Sequence, residues 1–187
     1  MNACARLKNY IRCRYYRSLS SKKVRISGKP CINQALLIEG DGEIRFAKNV
    51  HLGYKQSAGF YSQYMYMDVR GQQSVIQIGE GAILNNNINL SADHASIYIG
   101  DQTVCGINLS VHTSDGHGLS PDKRHEGLYP CLSVYIGENV FIGDDVIVLK
   151  GSSIGRNSVI GAGSVVSGNI PENVVAAGNP CKVLRRL

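Results

Sequence analysis

Apolar residues recur along this chain at every sixth position. They stand at Ile136, Ile142, Val148, Ile154, Ile160 and Val166, with Gly following at 137, 143, 155 and 161. The same spacing appears at Ile78, Leu84 and Leu90, at Ile99, Cys105 and Val111, and near the start at Ile26, Ile32, Ile38, Ile44 and Val50. A helix advancing 100° per residue would smear such positions around its surface, and the strands of a sandwich would alternate with a period of two. A period of six fits short strands joined by tight turns, the signature of a parallel β-helix in which three hexads make one triangular coil. The repeated aliphatic points into the prism and stacks on its equivalent one coil away. The register survives interruption. Ile136 and Ile154 are one coil apart, Ile78 and Ile99 one coil plus three residues, and Ile99 and Ile136 one coil plus 19. About seven coils at roughly 4.8 Å each make a prism near 35 Å tall. Its open ends and faces are expected to be covered by a C-terminal cap and by oligomer contacts.

The pattern divides the chain into a basic N-terminal arm at 1–25, an all-β prism at 26–170 with a loop insert at 112–133, and a C-terminal cap at 171–187. The arm holds eight Lys/Arg and no acidic residue in a chain of net charge +6, so the remainder carries −2. A near-neutral body with a basic appendage argues against a nucleic-acid-binding core. In the arm, Leu7, Ile11, Tyr15 and Leu19 recur at four-residue spacing, flanked by Arg6, Lys8, Arg12, Arg14 and Arg17. Two expectations follow. The stripe contacts the inner membrane surface through residues 1–20, or it packs over the open end of the prism at Ile26 and Ile32. The six cysteines are widely spaced with no CxxC pair, which points to a reducing cytoplasm. No apolar stretch is long enough to span a bilayer, and the charged N-terminal segment does not read as a secretory signal.

The insert breaks the strictest part of the pattern with a polar excursion that carries His112, His117 and His125, three of the five histidines. A loop thrown out of a rigid prism is where catalytic side chains are commonly placed. Histidine titrates near neutrality and suits proton transfer to or from a hydroxyl.

From Ile76 onward, "IQIGEGAILNNNINLSADHASIYIG", "SDGHG", "VYIGENVFIGDDVIVLKGSSIGRNSVIGAGSVV" and "NIPENVVAAGNPCKVLRRL" together resemble the hexapeptide-repeat acyltransferases of left-handed parallel β-helix fold. The resemblance is to the galactoside, maltose and nodulation-factor O-acetyltransferase branch and its relatives in polysaccharide gene clusters. It implies a homotrimer, acetyl-CoA as donor, and active sites in the clefts between subunits. By the same match His117 is the general base with Asp115 as its orienting partner, and the amide of Asp144 stabilises the oxyanion. Ala162, Ser167 and Gly168 would contact the donor's thin arm and nucleotide, while Lys182 and Arg185 would meet its phosphates. Asn87, Asp93 and His94 would hold the acceptor.

The resemblance fails at the N-terminus, where relatives carry a longer helical segment. The implied function is transfer of an acetyl group to a sugar hydroxyl of a capsule, O-antigen or exopolysaccharide, or its precursor. Competing readings are a xenobiotic or serine acetyltransferase and a β-helix scaffold without chemistry. No metal is expected. The alternative is a zinc site built from His94, His112 and His117; the gamma-class carbonic anhydrases pair an H-x4-H with a third histidine well upstream, at a position held here by Ile76, and that family lacks the GAGS…AAGNPCKV run.

Overall fold

The computed structural model describes residues 3–127 and 129–187; Met1 and Asn2 of the arm and Leu128 of the insert lie outside them. One helix, α1 (Ala3–Leu19), precedes a prism of three parallel sheets. Sheet A stacks Arg25–Ser27, Glu43–Phe46, Val75–Ile78, Ile97–Ile99, Val134–Ile136, Ser153–Ile154 and Asn169–Ile170. Sheet B stacks Cys31–Ile32, His51–Leu52, Ile83–Leu84, Val104–Cys105, Phe141–Ile142, Val159–Ile160 and Val174–Ala177, then adds Lys182–Arg186 antiparallel at its edge. Sheet C stacks Leu36–Gly40, Met65–Arg70, Asn89–Asp93, Ser110–His112, Ile147–Val148 and Val165–Val166. The chain visits A, B and C in turn, so each circuit is one coil.

The six-residue period maps onto three internal stacks. Ile78, Ile99, Ile136 and Ile154 are partners in sheet A; Leu84, Cys105, Ile142 and Ile160 in sheet B; Leu90, Val111, Val148 and Val166 in sheet C. All twelve are buried. The position two residues earlier also points inward, because side chains in a strand alternate. In the last full coil that second row is Ser152, Ser158 and Ser164, whose hydroxyls donate to backbone carbonyls and so remain satisfied inside the core.

The N-terminal hexads differ from expectation. Ile44 pairs with Ile76, and Phe46 pairs with Ile78. Phe46 and Leu52 therefore continue the main stacks, while Ile44 and Val50 belong to the second inward row. Ile38 to Phe46 is eight residues, so two extra residues in the turn at 40–42 shift the phase. Leu52 to Met67 is 15 residues, nine more than a hexad, and the excess forms a loop at 53–64.

The turns are built on left-handed residues. Asn49, Gln102, Asn139, Asn157 and Asn173 occupy the A–B corner with φ between 52° and 59°, and Asn87, Asn108 and Asp145 the B–C corner with φ between 58° and 60°. Asparagine tolerates this conformation, and its short amide bridges coils. Asn139 Nδ2 donates to Asn157 Oδ1 (3.0 Å), and Asn157 Nδ2 to Asn173 Oδ1 (2.9 Å).

The helix does not lay its apolar stripe over the prism. Leu7, Ile11, Tyr15 and Leu19 are exposed, and so are Ile26 and Ile32 at the prism's open end. The opposite side of α1 docks instead. Arg12 donates to the carbonyls of Phe60 (3.2 Å) and Gln63 (2.7 Å), Asn9 donates to Asn33 O (2.8 Å), and Tyr16 stacks on Tyr64 at 4.6 Å. The loop at 53–64 supplies most of these partners, and it is a feature the hexads do not announce.

Candidate active site

The insert leaves sheet C after His112 and rejoins the prism in sheet A at Val134. Its mouth is closed at several points. Leu132 N–H donates to Thr113 O (2.8 Å). Asp93, on the preceding coil, receives the hydroxyls of Ser114 (3.0 Å) and Tyr129 (2.8 Å) on Oδ2, while Oδ1 faces His94 Nδ1 at 2.8 Å. Arg70 lies 3.8 Å from the same carboxylate. Burial pushes the Asp93 carboxyl upward, but the hydrogen bonds from Tyr129, His94 and Ser114 and the charge of Arg70 outweigh it and hold the group below its ordinary value. Asp93 is thus a buried clamp on both ends of the insert. The expectation that it holds an acceptor is corrected, because its oxygens are occupied and its side chain is only 2% exposed.

A second tie is made by Lys150, whose ammonium pairs with Asp115 and reaches Pro130 O at 3.5 Å. Asp115 is therefore not the orienting partner of His117. That part is taken by a backbone carbonyl, as His117 Nδ1 lies 3.1 Å from Gly118 O. A carbonyl only accepts, so Nδ1 is the donor to it, and in the neutral ring Nε2 keeps its lone pair. His117 is exposed, with the free nitrogen available to a substrate proton. Gly118 is buried beneath it, and a Cβ there would meet Lys123 O at 2.4 Å. His112 is half-buried, and desolvation pushes its pKa down. Among the described residues no cluster of three His, Cys, Asp or Glu could hold a metal ion, so His94, His112 and His117 do not assemble into one.

The other expected residues lie elsewhere on the prism. Asp144 sits at the B–C corner. Its carboxylate accepts from Ile107 N–H (2.8 Å), its carbonyl accepts from Gly163 N–H (2.8 Å), and its own amide makes no hydrogen bond among the described residues. Ala162 is one coil further on at the same corner. Ser167 and Gly168 are exposed at the C–A corner, where Gly168 N–H donates to Ser152 Oγ (3.1 Å). Lys182 and Arg185 lie exposed on the antiparallel edge strand. At Gly163 and Gly168 an added Cβ would meet nothing within 4 Å, so the prism edge is open at both. The histidine and the Asp144 amide therefore stand on different edges of one chain.

Asn87 is a turn residue whose amide donates to Asn108 Oδ1 (2.8 Å). It also lines a cleft of about 490 Å³ on the outer face of sheet C, together with Tyr16, Tyr64, Tyr66, Asn89 and Ser110. The carboxamide oxygen of Asn89 is buried there without a partner among the described residues. Ser110 and His112 are two residues apart on one face of one strand, so the cleft opens toward the insert. These tyrosines were not legible in the hexads; only the aromatic-rich run from Tyr54 to Tyr66 hinted at them.

The model of the family described as bacterial transferase hexapeptide (six repeats) matches residues 133–168. The galactoside O-acetyltransferase of Lactococcus lactis is 46% identical over 112 residues, which is 60% of this chain and 53% of that one. The chain spans little more than half the length of the curated relatives it matches. The hexapeptide-repeat acetyltransferase VCA0836 of Vibrio cholerae, solved with acetyl coenzyme A, superposes with a TM-score of 0.60 at 25% identity, covering 97% of this chain and 84% of that one. NeuO, a polySia-specific acetyltransferase, gives a TM-score of 0.65 at 24% identity over 87% and 71% of the two chains, a likeness of fold. With its three-sheet prism and its stacks, and with these likenesses, the chain folds as a left-handed parallel β-helix of hexapeptide repeats, similar in sequence to the galactoside O-acetyltransferases over about 60% of its length.

Proposed function

We propose that this chain is an acetyl-CoA-dependent O-acetyltransferase acting on a sugar hydroxyl of a surface polysaccharide or its precursor. The observation that carries the reading is His117, exposed on a doubly clamped loop, with Nδ1 committed to a carbonyl and Nε2 free. Nε2 removes the hydroxyl proton, the alkoxide oxygen attacks the thioester carbonyl, and the amide of Asp144 stabilises the oxyanion. The C–S bond then breaks, and the imidazolium returns its proton to the departing thiolate. Ala162, Ser167 and Gly168 border the open edges along which the donor's arm would lie, and Lys182 and Arg185 offer charge to its phosphates. The acceptor enters through the tyrosine-lined cleft, with His94 at the insert side.

Because His117 and Asp144 stand on different edges, a complete site needs two subunits, which favours a homotrimer. Sheet B supplies a suitable interface, with Ile83, Val104 and Phe141 exposed in one row. The proposed setting is the cytoplasm, with peripheral contact to the inner membrane surface. His117→Ala should lower kcat by about two to four orders of magnitude with donor affinity retained. Mixing that variant with an inactive variant of the donor edge, altered at Lys182 and Arg185, should restore part of the activity through shared sites. Near-normal turnover of the His117 variant would overturn the reading.

A further inference from the structure

We propose that α1 docks the protein on an anionic bilayer surface, with Leu7 and Ile11 at the centre of the contact. The inference rests on how the helix is held. Arg12, Asn9 and Tyr16 fix its rotation by bonds to Phe60, Gln63 and Asn33 and by the stack on Tyr64. At 100° per residue, Leu7 and Ile11 project away from that docked face, with Tyr10 and Tyr15 beside them. Their exposures are 59% for Leu7, 61% for Tyr10, 56% for Ile11 and 58% for Tyr15. A helix whose polar side faces its own protein and whose apolar side faces out has the reverse of the arrangement a cytosolic surface favours.

Charge selects the occupant. Between Ala3 and Ile38 the chain has nine Lys/Arg and no Asp or Glu. Of these, Arg12 is spent on loop carbonyls, and Arg25 donates to Gln72 O (2.8 Å). Arg6, Lys8 and Arg17 flank the apolar sector, Arg14 projects within it between Tyr10 and Leu7, and Lys22 and Lys23 follow it. Apolar side chains ringed by unopposed cations suit a headgroup layer bearing phosphate, where the side chains enter the acyl boundary and the cations stay at the surface. A second copy of the same helix would bring like charges together. No helix among the described residues is long and apolar enough to cross a membrane, so the contact is peripheral.

The test uses the full chain and needs no turnover, so its outcome is separate from that of the acetyltransfer reading. Flotation with phosphatidylcholine vesicles, with and without phosphatidylglycerol, should show binding only to the anionic set, and added salt should weaken it at least about tenfold. The double variant Leu7→Ser/Ile11→Ser leaves the docked face intact and should lose at least about tenfold in binding with an unchanged melting temperature. Lys8→Glu/Arg14→Glu should do the same. Equal flotation with neutral and anionic vesicles, no flotation at all, or a serine variant that alters only sedimentation would overturn the proposal, the last identifying the stripe as a contact between copies.

Discussion

Replacing Asp93 with Ala removes the carboxylate on which both ends of the insert close. Ser114 and Tyr129 each donate a hydroxyl to it, at 3.0 and 2.8 Å. A hydrogen bond to a charged group contributes about 1.5–3 kcal/mol, and the freed hydroxyls recover part of this from water, so opening the insert should become easier by about 3 kcal/mol. At 1.4 kcal/mol per factor of ten, that is roughly a hundredfold more open state. Hydrogen exchange should show it directly. Amides between Ser114 and Gly127 should exchange about a hundredfold faster, those of Ile142 and Ile160 should not change, and turnover should fall because His117 rides on the loosened segment. A variant whose insert exchanges like the parent would refute the clamp. The pH dependence has a definite sign. A carboxyl held below its unfolded value of about 3.9 stabilises fully above that value and loses its contribution as pH falls through the folded one. The parent insert should therefore loosen only at clearly acid pH, and Asp93→Asn should remove that dependence.

Three further outcomes follow from the prism. Asn157→Ala breaks two ladder bonds and forces alanine into φ 59°, so it should cost about 2 kcal/mol in thermal unfolding, while Asn157→Gly should cost less. Burial pushes the Cys105 thiol up to about 12, so iodoacetamide near neutral pH should label exposed Cys4 and Cys31 and spare Cys105 until urea unfolds the chain. Phe141→Arg should convert a trimer to monomers in sedimentation and remove activity with it, whereas a trimeric variant would exclude sheet B as the interface.

The prism was legible because its periodicity is a backbone property. Each hexad position from Ile78 to Val166 is buried where the spacing puts it, and even the three-residue and 19-residue interruptions return to phase. The phase error at Ile44 and Val50 has the same origin, since two inward rows two residues apart look alike when a turn gains two residues. The site was legible only in part. The histidine in Asp115-Gly116-His117-Gly118 is conspicuous in one dimension, but its partner is not. Asp115 is adjacent in sequence yet turns to Lys150, 35 residues on, and Asp93 closes on Tyr129, 36 residues on. Such pairings are set by how an irregular loop folds back, and no spacing rule encodes them. The cleft tyrosines depend likewise on how α1 and the loop at 53–64 meet.

The strand Lys182–Arg186 runs antiparallel against Val174–Ala177, and all five of its residues are exposed. Every other strand of the prism offers its neighbour a parallel edge of the same shape, which is the geometry by which a stack could keep growing from molecule to molecule. The reversed strand presents the wrong direction for another coil, and its Lys182, Arg185 and Arg186 put like charges where a second molecule would have to pair. Within sheet B, a fold that is in principle endless thus ends on a rung that cannot serve as the template for another coil.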